Sequence, residues 1–408
     1  MLWFVCFLNY ADRQAIFSIF PLLGTKLHLT SVQLGVIGGS FMWMYAVCGP
    51  MAGWLSDHFS RRSLILGALV FWSLMTAATA LAHTFASLTL IRALGGLGEA
   101  FYFPAAMSMM SDYHGPATRS RAMSVHQSSV YAGSIAGGAI SGFLGQYYGW
   151  RSSFLFFGAA GMVLGLLLLV FLEEPARGAA DIRSMETAVR EPWRPIEDIR
   201  EIFSNRTAMF LVLAFIGANF VAAVFLTWMP TFLHQKFHMS LSLSGLNSTV
   251  YIQIASVLGV LTGGALADSW QRRFRGGRML AQSLGLFCGV PFLFLTGWSR
   301  SLVLLITAMI GFGYFKGLYD ANIFASLYDV VPIERRGASA GILNSLGWLG
   351  GGFAPVIIAL GAAHYGMSAS ISTTAVVYLM TGLLMLYTAR RLERESKMSA
   401  NNNETGKY

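Results

Sequence analysis

Charge is what this chain has least of. Asp, Glu, Lys and Arg together supply 12 % of its 408 residues, against 55 % hydrophobic residues. A soluble globular domain carries about twice that share of charge, so the composition excludes one and points to an integral membrane protein. Acids are the scarcer sign, 19 against 28 Lys and Arg, for a net charge of +9. Those cations stand between apolar runs rather than along one face, which excludes a nucleic-acid partner. Cysteine is almost absent: Cys6, Cys48 and Cys288 lie scattered in apolar runs, and without pairing or metal spacing they read as small hydrophobes. Of the eight histidines only His234 and His238 stand four apart, with no third ligand. Clustered His or carboxylates at metal or nucleophile spacing are missing, so neither a metal, a cofactor nor a membrane enzyme is expected. No basic lead or cleavage site opens the chain, and Asp12-Arg13 interrupts the first apolar run; this is no signal peptide. That run begins at Met1 itself, as if the start trimmed helix 1.

What is present is a set of twelve apolar runs: 1–24, 31–57, 62–82, 86–112, 119–147, 151–172, 207–233, 242–268, 279–297, 301–330, 337–363 and 368–388. Each is near the twenty residues that a bilayer asks of a helix. The predicted fold class is therefore an all-α membrane protein of twelve transmembrane helices. Loops after even-numbered helices, with the tail, hold 21 of the Lys and Arg; the opposite loops hold four, and Arg13, Arg92 and Lys316 lie at membrane depth. By the positive-inside rule the even loops and both termini are cytoplasmic. A multi-pass protein of the plasma (inner) membrane, monomeric in the bilayer, is the expectation.

The stretch Ile91 to Ala106 carries Arg92 and Glu99 inside an apolar run. Seven residues is about two turns, so both face one side of the helix. Each charge would cost roughly 2.5–3.5 kcal/mol at the bilayer centre, and is kept only where it meets protein, water or substrate. A structural Arg92–Glu99 ion pair and a charged translocation site are both open. Gly95, Gly96 and Gly98 let a neighbouring helix approach closely. On helix 1, Asp12 falls about 16 Å from the start, near mid-membrane, and Arg13 points about 100° away from it. Tyr45 on helix 2 is either a packing ring or a hydroxyl facing a cavity. Gln127 on helix 5 is a substrate donor or an interhelical hydrogen bond. Pro230 is expected to kink or finish helix 7. Lys316 and Asp320, four apart on helix 10, pair with each other or serve a substrate. Asn344 lies amid the glycines of helix 11.

The sequence repeats itself. Gly53-Trp54-Leu55-Ser56-Asp57 with Arg61-Arg62 matches Gly264-Ala265-Leu266-Ala267-Asp268 with Arg272-Arg273 at an offset of 211 residues. Gly96-Leu97-Gly98 and Arg121-Ala122-Met123-Ser124 recur at Gly311-Phe312-Gly313 and Arg336-Gly337-Ala338-Ser339, both offset by 215. Two pseudo-symmetric six-helix bundles follow, with a site expected between them. The domains are then 1–172 and 207–388, joined by a charged cytoplasmic linker at 173–206 and ending in a cytoplasmic tail at 389–408. Asp57, Arg61, Arg62, Asp112, Asp268, Arg272 and Asp329 stand at cytoplasmic helix ends, where charge pairs can close that side.

With these repeats and the helix 4 motif, the chain resembles the major facilitator superfamily over nearly its whole length. Within it, the sequence is most similar to the anion:cation symporters, which include hexuronate, galactonate and phthalate carriers and the sialin type. The resemblance rests on Asn9-Tyr10-Ala11-Asp12-Arg13, Ser40-Phe41 with Tyr45-Ala46, Glu99-Ala100 with Phe103-Pro104-Ala105-Ala106, Gly149-Trp150-Arg151 and Trp228-Met229-Pro230. His58 and Ser60 depart from the Arg and Gly of the gating motif, and Phe101-Tyr102 is bulkier than the small residues usual after Glu-Ala. Spinster-like carriers share the helix 1 and helix 4 motifs. The resemblance implies proton coupling at Asp12 and Glu99. It places a substrate carboxylate on Arg13, Arg92 and Tyr45, with Gln127 and Asn344 beside them; Lys316 joins the candidate substrate residues from its own place at membrane depth on helix 10. The expected activity is symport of a small organic anion with protons, or with sodium, by alternating access. A spinster-like exporter of lipids or drugs, and a receptor that senses without transporting, are the other readings.

Overall fold

The structure is a computed structural model and describes residues 1–177, 179–180, 195–332 and 335–405. All regular structure among them is helical. Fifteen helices follow one another: α1 (Leu2–Ser18), α2 (Phe20–Lys26), α3 (Ser31–His58), α4 (Arg61–Thr79), α5 (Phe85–Ala100), α6 (Tyr102–Tyr113), α7 (Pro116–Tyr148), α8 (Trp150–Phe171), α9 (Pro195–Ser204), α10 (Arg206–Phe237), α11 (Leu241–Gln271), α12 (Gly277–Trp298), α13 (Leu302–Asp320), α14 (Ile323–Tyr328) and α15 (Arg336–Thr405).

Twelve membrane spans emerge because some of these helices are halves and one is double. Span 1 is α1 with α2, broken at Ile19; Pro21 has no N–H to give the Phe17 carbonyl. Span 4 is α5 with α6, broken at Phe101, and Pro104 likewise leaves the Ala100 carbonyl without its donor. Span 10 is α13 with α14, where the Asn322 side chain donates to the carbonyls of Leu318 (3.3 Å) and Gly263 (3.1 Å). α15 is spans 11 and 12 run together across Gly366, at φ 81°. Pro230 neither ends nor interrupts its helix: α10 continues through it to Phe237.

Backbone geometry repeats as the sequence does. Positive φ occurs at His28 (52°) and His238 (51°), 210 residues apart, each just ahead of the second helix of its set of six. It recurs at Gly149 (85°) and Gly366 (81°), 217 apart, each between the fifth and sixth. A left-handed residue forces a sharp reversal and suits glycine, with histidine among the more tolerant side chains. After Gly149, Arg151 donates to the carbonyl of Ala80 (2.9 Å) and lies on the Trp150 ring (4.2 Å), tying α8 to the end of α4.

Two compact units can be distinguished. The first comprises Met1–Arg194, Ala223–Val250 and Gly351–Leu360; the second comprises Pro195–Ala222, Tyr251–Gly350 and Gly361–Tyr408. In the first, α1 packs on α7, α3 on α5, and α4 on both α5 and α8. Contact is closest where glycine removes the side chain. A Cβ on Gly137 would meet the backbone of Ala11, and one on Gly96 the backbone carbonyl of Phe41. These two approaches set α1 and α3 against their neighbours and so fix the residues described next. Trp228 Nε1 donates to the Pro355 carbonyl (3.0 Å), and Gln14 Nε2 to that of Leu226 (3.1 Å). Parts of α10 and α15 are thereby held within the first unit. In the second unit α12 packs on α13.

Candidate functional site

Four ionisable residues from two helices meet in the first unit. α1 supplies Asp12 and Arg13, and α5 supplies Arg92 and Glu99. All are buried: Glu99 is 0 % exposed, Arg92 2 %, Asp12 3 % and Arg13 7 %. Their pairing differs from the simplest sequence reading. Glu99 is paired with Arg13, whose Nε donates to Oε2 at 2.5 Å, and not with Arg92 on its own helix. Asp12 accepts from the Thr76 hydroxyl of α4 at 2.5 Å. Asp12 thus leans on α4, while Glu99 leans on α1.

Aromatic rings surround the cations. The Arg13 guanidinium lies 4.7 Å from the Tyr10 ring, 4.6 Å from Tyr45 and 5.3 Å from Phe41. The Arg92 guanidinium lies 4.9 Å from the Phe41 ring. Such contacts hold a cation where water is excluded. Hydrogen bonding is incomplete among donors and acceptors alike. Arg92 Nε and Nη2 have no partner, and each acid keeps one oxygen without a donor, Asp12 Oδ1 and Glu99 Oε1. Buried polar groups are ordinarily satisfied, so each exception calls for an explanation.

The other residues named from sequence fall elsewhere. Gln127 on α7 is exposed. In the second unit Lys316 makes an ion pair with Asp320, and Asn344 is half-buried on α15. A cavity of about 580 Å³ adjoins His126, but its lining from Leu2 to Leu172 is apolar apart from groups such as Arg121 and His114; the chemistry lies with the charged cluster.

Charged residues at helix ends form two separate groups. In the first unit Arg61 is nearly enclosed. It pairs with Asp112, and Glu174 receives its backbone N–H at 2.9 Å and its Nε at 3.4 Å. Ser60 also donates to Glu174, and Arg177 Nη2 reaches the carbonyls of Ser56 (3.0 Å) and Phe59 (2.7 Å). Arg62 donates to the Leu169 carbonyl at 2.6 Å, while Asp57 is exposed. In the second unit Arg278 bridges Asp329 (2.7 Å) and Asp268 (3.3 Å), and Arg272 is exposed. Arg278 therefore meets the acids that Arg272 was expected to meet.

Glu174 was not singled out in the sequence, yet it closes the N-terminus of α4. Burial alone would raise its pKa, but the bonds from Ser60 and from Arg61 outweigh that and hold it below the usual value. A depressed acid stabilises the fold above its unfolded pKa and loses that contribution as pH falls through the folded one. Glu174→Gln is thus expected to melt about 2 °C lower at neutral pH in detergent, and to converge with the parent as pH falls through the depressed pKa of Glu174. An equal deficit at neutral and at low pH would show that charge on Glu174 is immaterial.

Twelve membrane helices in two related sets, with ionisable groups paired at membrane depth, define the class of secondary transporters. The chain belongs to the Major Facilitator Superfamily, whose profile matches residues 2–315 and again 273–407. It is 27 % identical over 361 residues to the hexuronate transporter of Bacillus subtilis (strain 168), covering 86 % of this chain and 84 % of that one. It is 28 % identical over 383 residues to protein spinster homolog 1 of Homo sapiens, covering 88 % of this chain and 71 % of that protein. Its fold matches the crystal structure of a bacterial homolog of the human lysosomal transporter spinster, described as inward-facing and unoccupied. The TM-score is 0.83 at 21 % identity, over 97 % of this chain and 96 % of the other.

Proposed function

We propose that this protein carries a small organic anion, a sugar acid or another carboxylate, across the plasma membrane together with a proton, with both chain termini cytoplasmic. The observation that carries this reading is Arg92, buried at 2 % exposure with Nε and Nη2 unpartnered. A guanidinium presents paired N–H groups in the geometry a carboxylate accepts. Arg13 is the less suited of the two, because its Nε is committed to Glu99 and three rings pack around it. The likeness to a hexuronate transporter supports the same substrate class. A lipid or drug exporter, as the spinster likeness would suggest, has no evident use for an unpartnered guanidinium beside two acids.

Charge balance gives the coupling. Two acids and two arginines sum to zero, so the empty cluster is neutral when all four are ionised. A carboxylate added at Arg92 would leave one net negative charge buried, which is costly in the membrane interior. One proton restores neutrality. Asp12 and Glu99 each keep an oxygen that no donor reaches, and an acid whose neighbouring cation turns to an anion takes up a proton more readily.

Alternating access then requires the first unit to rearrange. Gln14, two residues beyond Asp12, holds the Leu226 carbonyl, and that bond must break when α10 parts from α1. The charge groups around Arg61 and Arg278 close and release the cytoplasmic ends. In the second unit Lys316, drawn from Asp320, and Asn344 are the residues proposed to serve substrate. Labelled hexuronates and aromatic carboxylates, offered to proteoliposomes with and without an acid exterior, test the reading. Accumulation of at least one sugar acid driven by external acid is expected. Sodium-driven uptake, or uptake indifferent to both gradients, would overturn proton coupling.

A further inference from the structure

The ring of Phe41 lies against both buried arginines, 5.3 Å from the guanidinium carbon of Arg13 and 4.9 Å from that of Arg92. It has little freedom to leave. Its backbone carbonyl fills the space left by Gly96 on α5, and the adjacent Ser40 hydroxyl donates to the Thr89 carbonyl at 3.3 Å. The ring stacks on Tyr45 at 6.3 Å and 18°, and the residue is 2 % exposed. Arg13 from α1, Arg92 from α5 and Tyr45 of its own helix face the ring; Tyr10 and Glu99 lie beyond, against Arg13, and Asp12 is bonded to Thr76.

We infer that Phe41 is a positioning residue that keeps the two arginines assigned to different tasks, Arg13 to Glu99 and Arg92 to the incoming carboxylate. The inference rests on the proton-coupled reading above. The ring's π-system attracts each cation, and its bulk fills space beside both that a substrate or water would otherwise enter. A carboxylate can therefore reach the free edge of Arg92 without touching Arg13. Without the ring, Arg92 is free to turn toward Glu99, its neighbour two turns along α5. Both acids would then be paired within the protein, and the anion would lose its cation and its claim on the proton together. Phe41 thus serves coupling as well as affinity.

The test compares Phe41→Leu with Phe41→Tyr in proteoliposomes, after the parent has been shown to exchange a labelled sugar acid. Phe41→Leu keeps an apolar side chain but removes the π-face. It is expected to bind substrate about tenfold more weakly, within the range of one desolvated cation–π contact, and to lose the pH dependence of its affinity. Phe41→Tyr keeps the ring and should stay near the parent in both respects. Should Phe41→Leu fail to fold, Phe41→Met, larger and flexible, carries the same comparison. Unchanged affinity and pH profile in a well-folded Leu or Met variant would overturn the inference. So would weaker binding with the parental pH profile, which would mark the ring as packing only. A parent that shows no proton-linked anion transport would instead overturn the reading on which the inference stands.

Discussion

Arg92→Ala is expected to insert and fold, and to lose carboxylate binding almost completely. The side chain does little to hold the helices together: its Nε and Nη2 are unpartnered, and it lies against the Phe41 ring. Removing it deprives a bound carboxylate of a desolvated charge pair, worth about 2–5 kcal/mol when one partner is truncated. That corresponds to a loss of affinity of roughly 30-fold to several thousand-fold. Asp12, left with one cation fewer in the cluster, can accept a proton and remain buried, which spares the fold. Arg92→Lys retains the charge but not the planar fork, and should recover only part of the affinity. Binding of a labelled sugar acid to purified protein of normal monodispersity is the measurement. Parental affinity in Arg92→Ala would make this arginine structural.

Glu99→Gln separates drive from binding. The amide has the shape of the protonated acid and still offers an oxygen to Arg13 Nε, which holds Glu99 at 2.5 Å. The variant carries the charge of a permanently protonated site, so the empty cluster is left with one net positive charge until an anion arrives. Such a protein should exchange substrate between equal pools at a rate near that of the parent. It should accumulate none against a gradient, however acid the exterior, because the empty site no longer returns neutral. Asp12→Asn should share this phenotype if the two acids act as one pair, and be milder if Glu99 alone holds the proton. Undiminished acid-driven accumulation in both variants would end the proton-coupling claim.

The spans were legible because bilayer thickness dictates length and composition, and each of the twelve apolar runs falls on a helix or a broken pair of helices. The breaks in spans 1 and 4 were legible only as proline; the one in span 10 depends on Asn322 reaching Gly263 on another helix, which no local pattern encodes. The repeat of two matched stretches reappears as left-handed backbone at His28 and His238 and at Gly149 and Gly366. Within the site, Asp12, Arg13, Arg92, Glu99 and Tyr45 stood out because polar residues in apolar runs are rare. Their pairing did not. Spacing along α5 placed Arg92 and Glu99 on one face, but the approach of α1 gives Glu99 to Arg13, and helix packing decides that. Thr76 was hidden because a threonine can satisfy its hydroxyl on its own helix, as it also does here on the Trp72 carbonyl at 2.9 Å. Glu174 and Arg278 were hidden for a different reason: each is one charge among several in a basic loop, and only the fold selects it.

The neutral cluster makes a quantitative demand on transport. With Asp12, Arg13, Arg92 and Glu99 balanced in the empty state, every carboxylate that enters must be matched by one proton. The most direct measurement counts both in the same vesicles: labelled sugar acid taken up, and alkalinisation of a weakly buffered exterior read by a pH indicator. For a monocarboxylate, one proton should disappear from the medium per anion accumulated, and an imposed membrane potential should leave the rate unchanged. Anion accumulation with no loss of external protons, or uptake that follows a sodium gradient instead, would contradict the assignment of this site to proton-coupled anion transport.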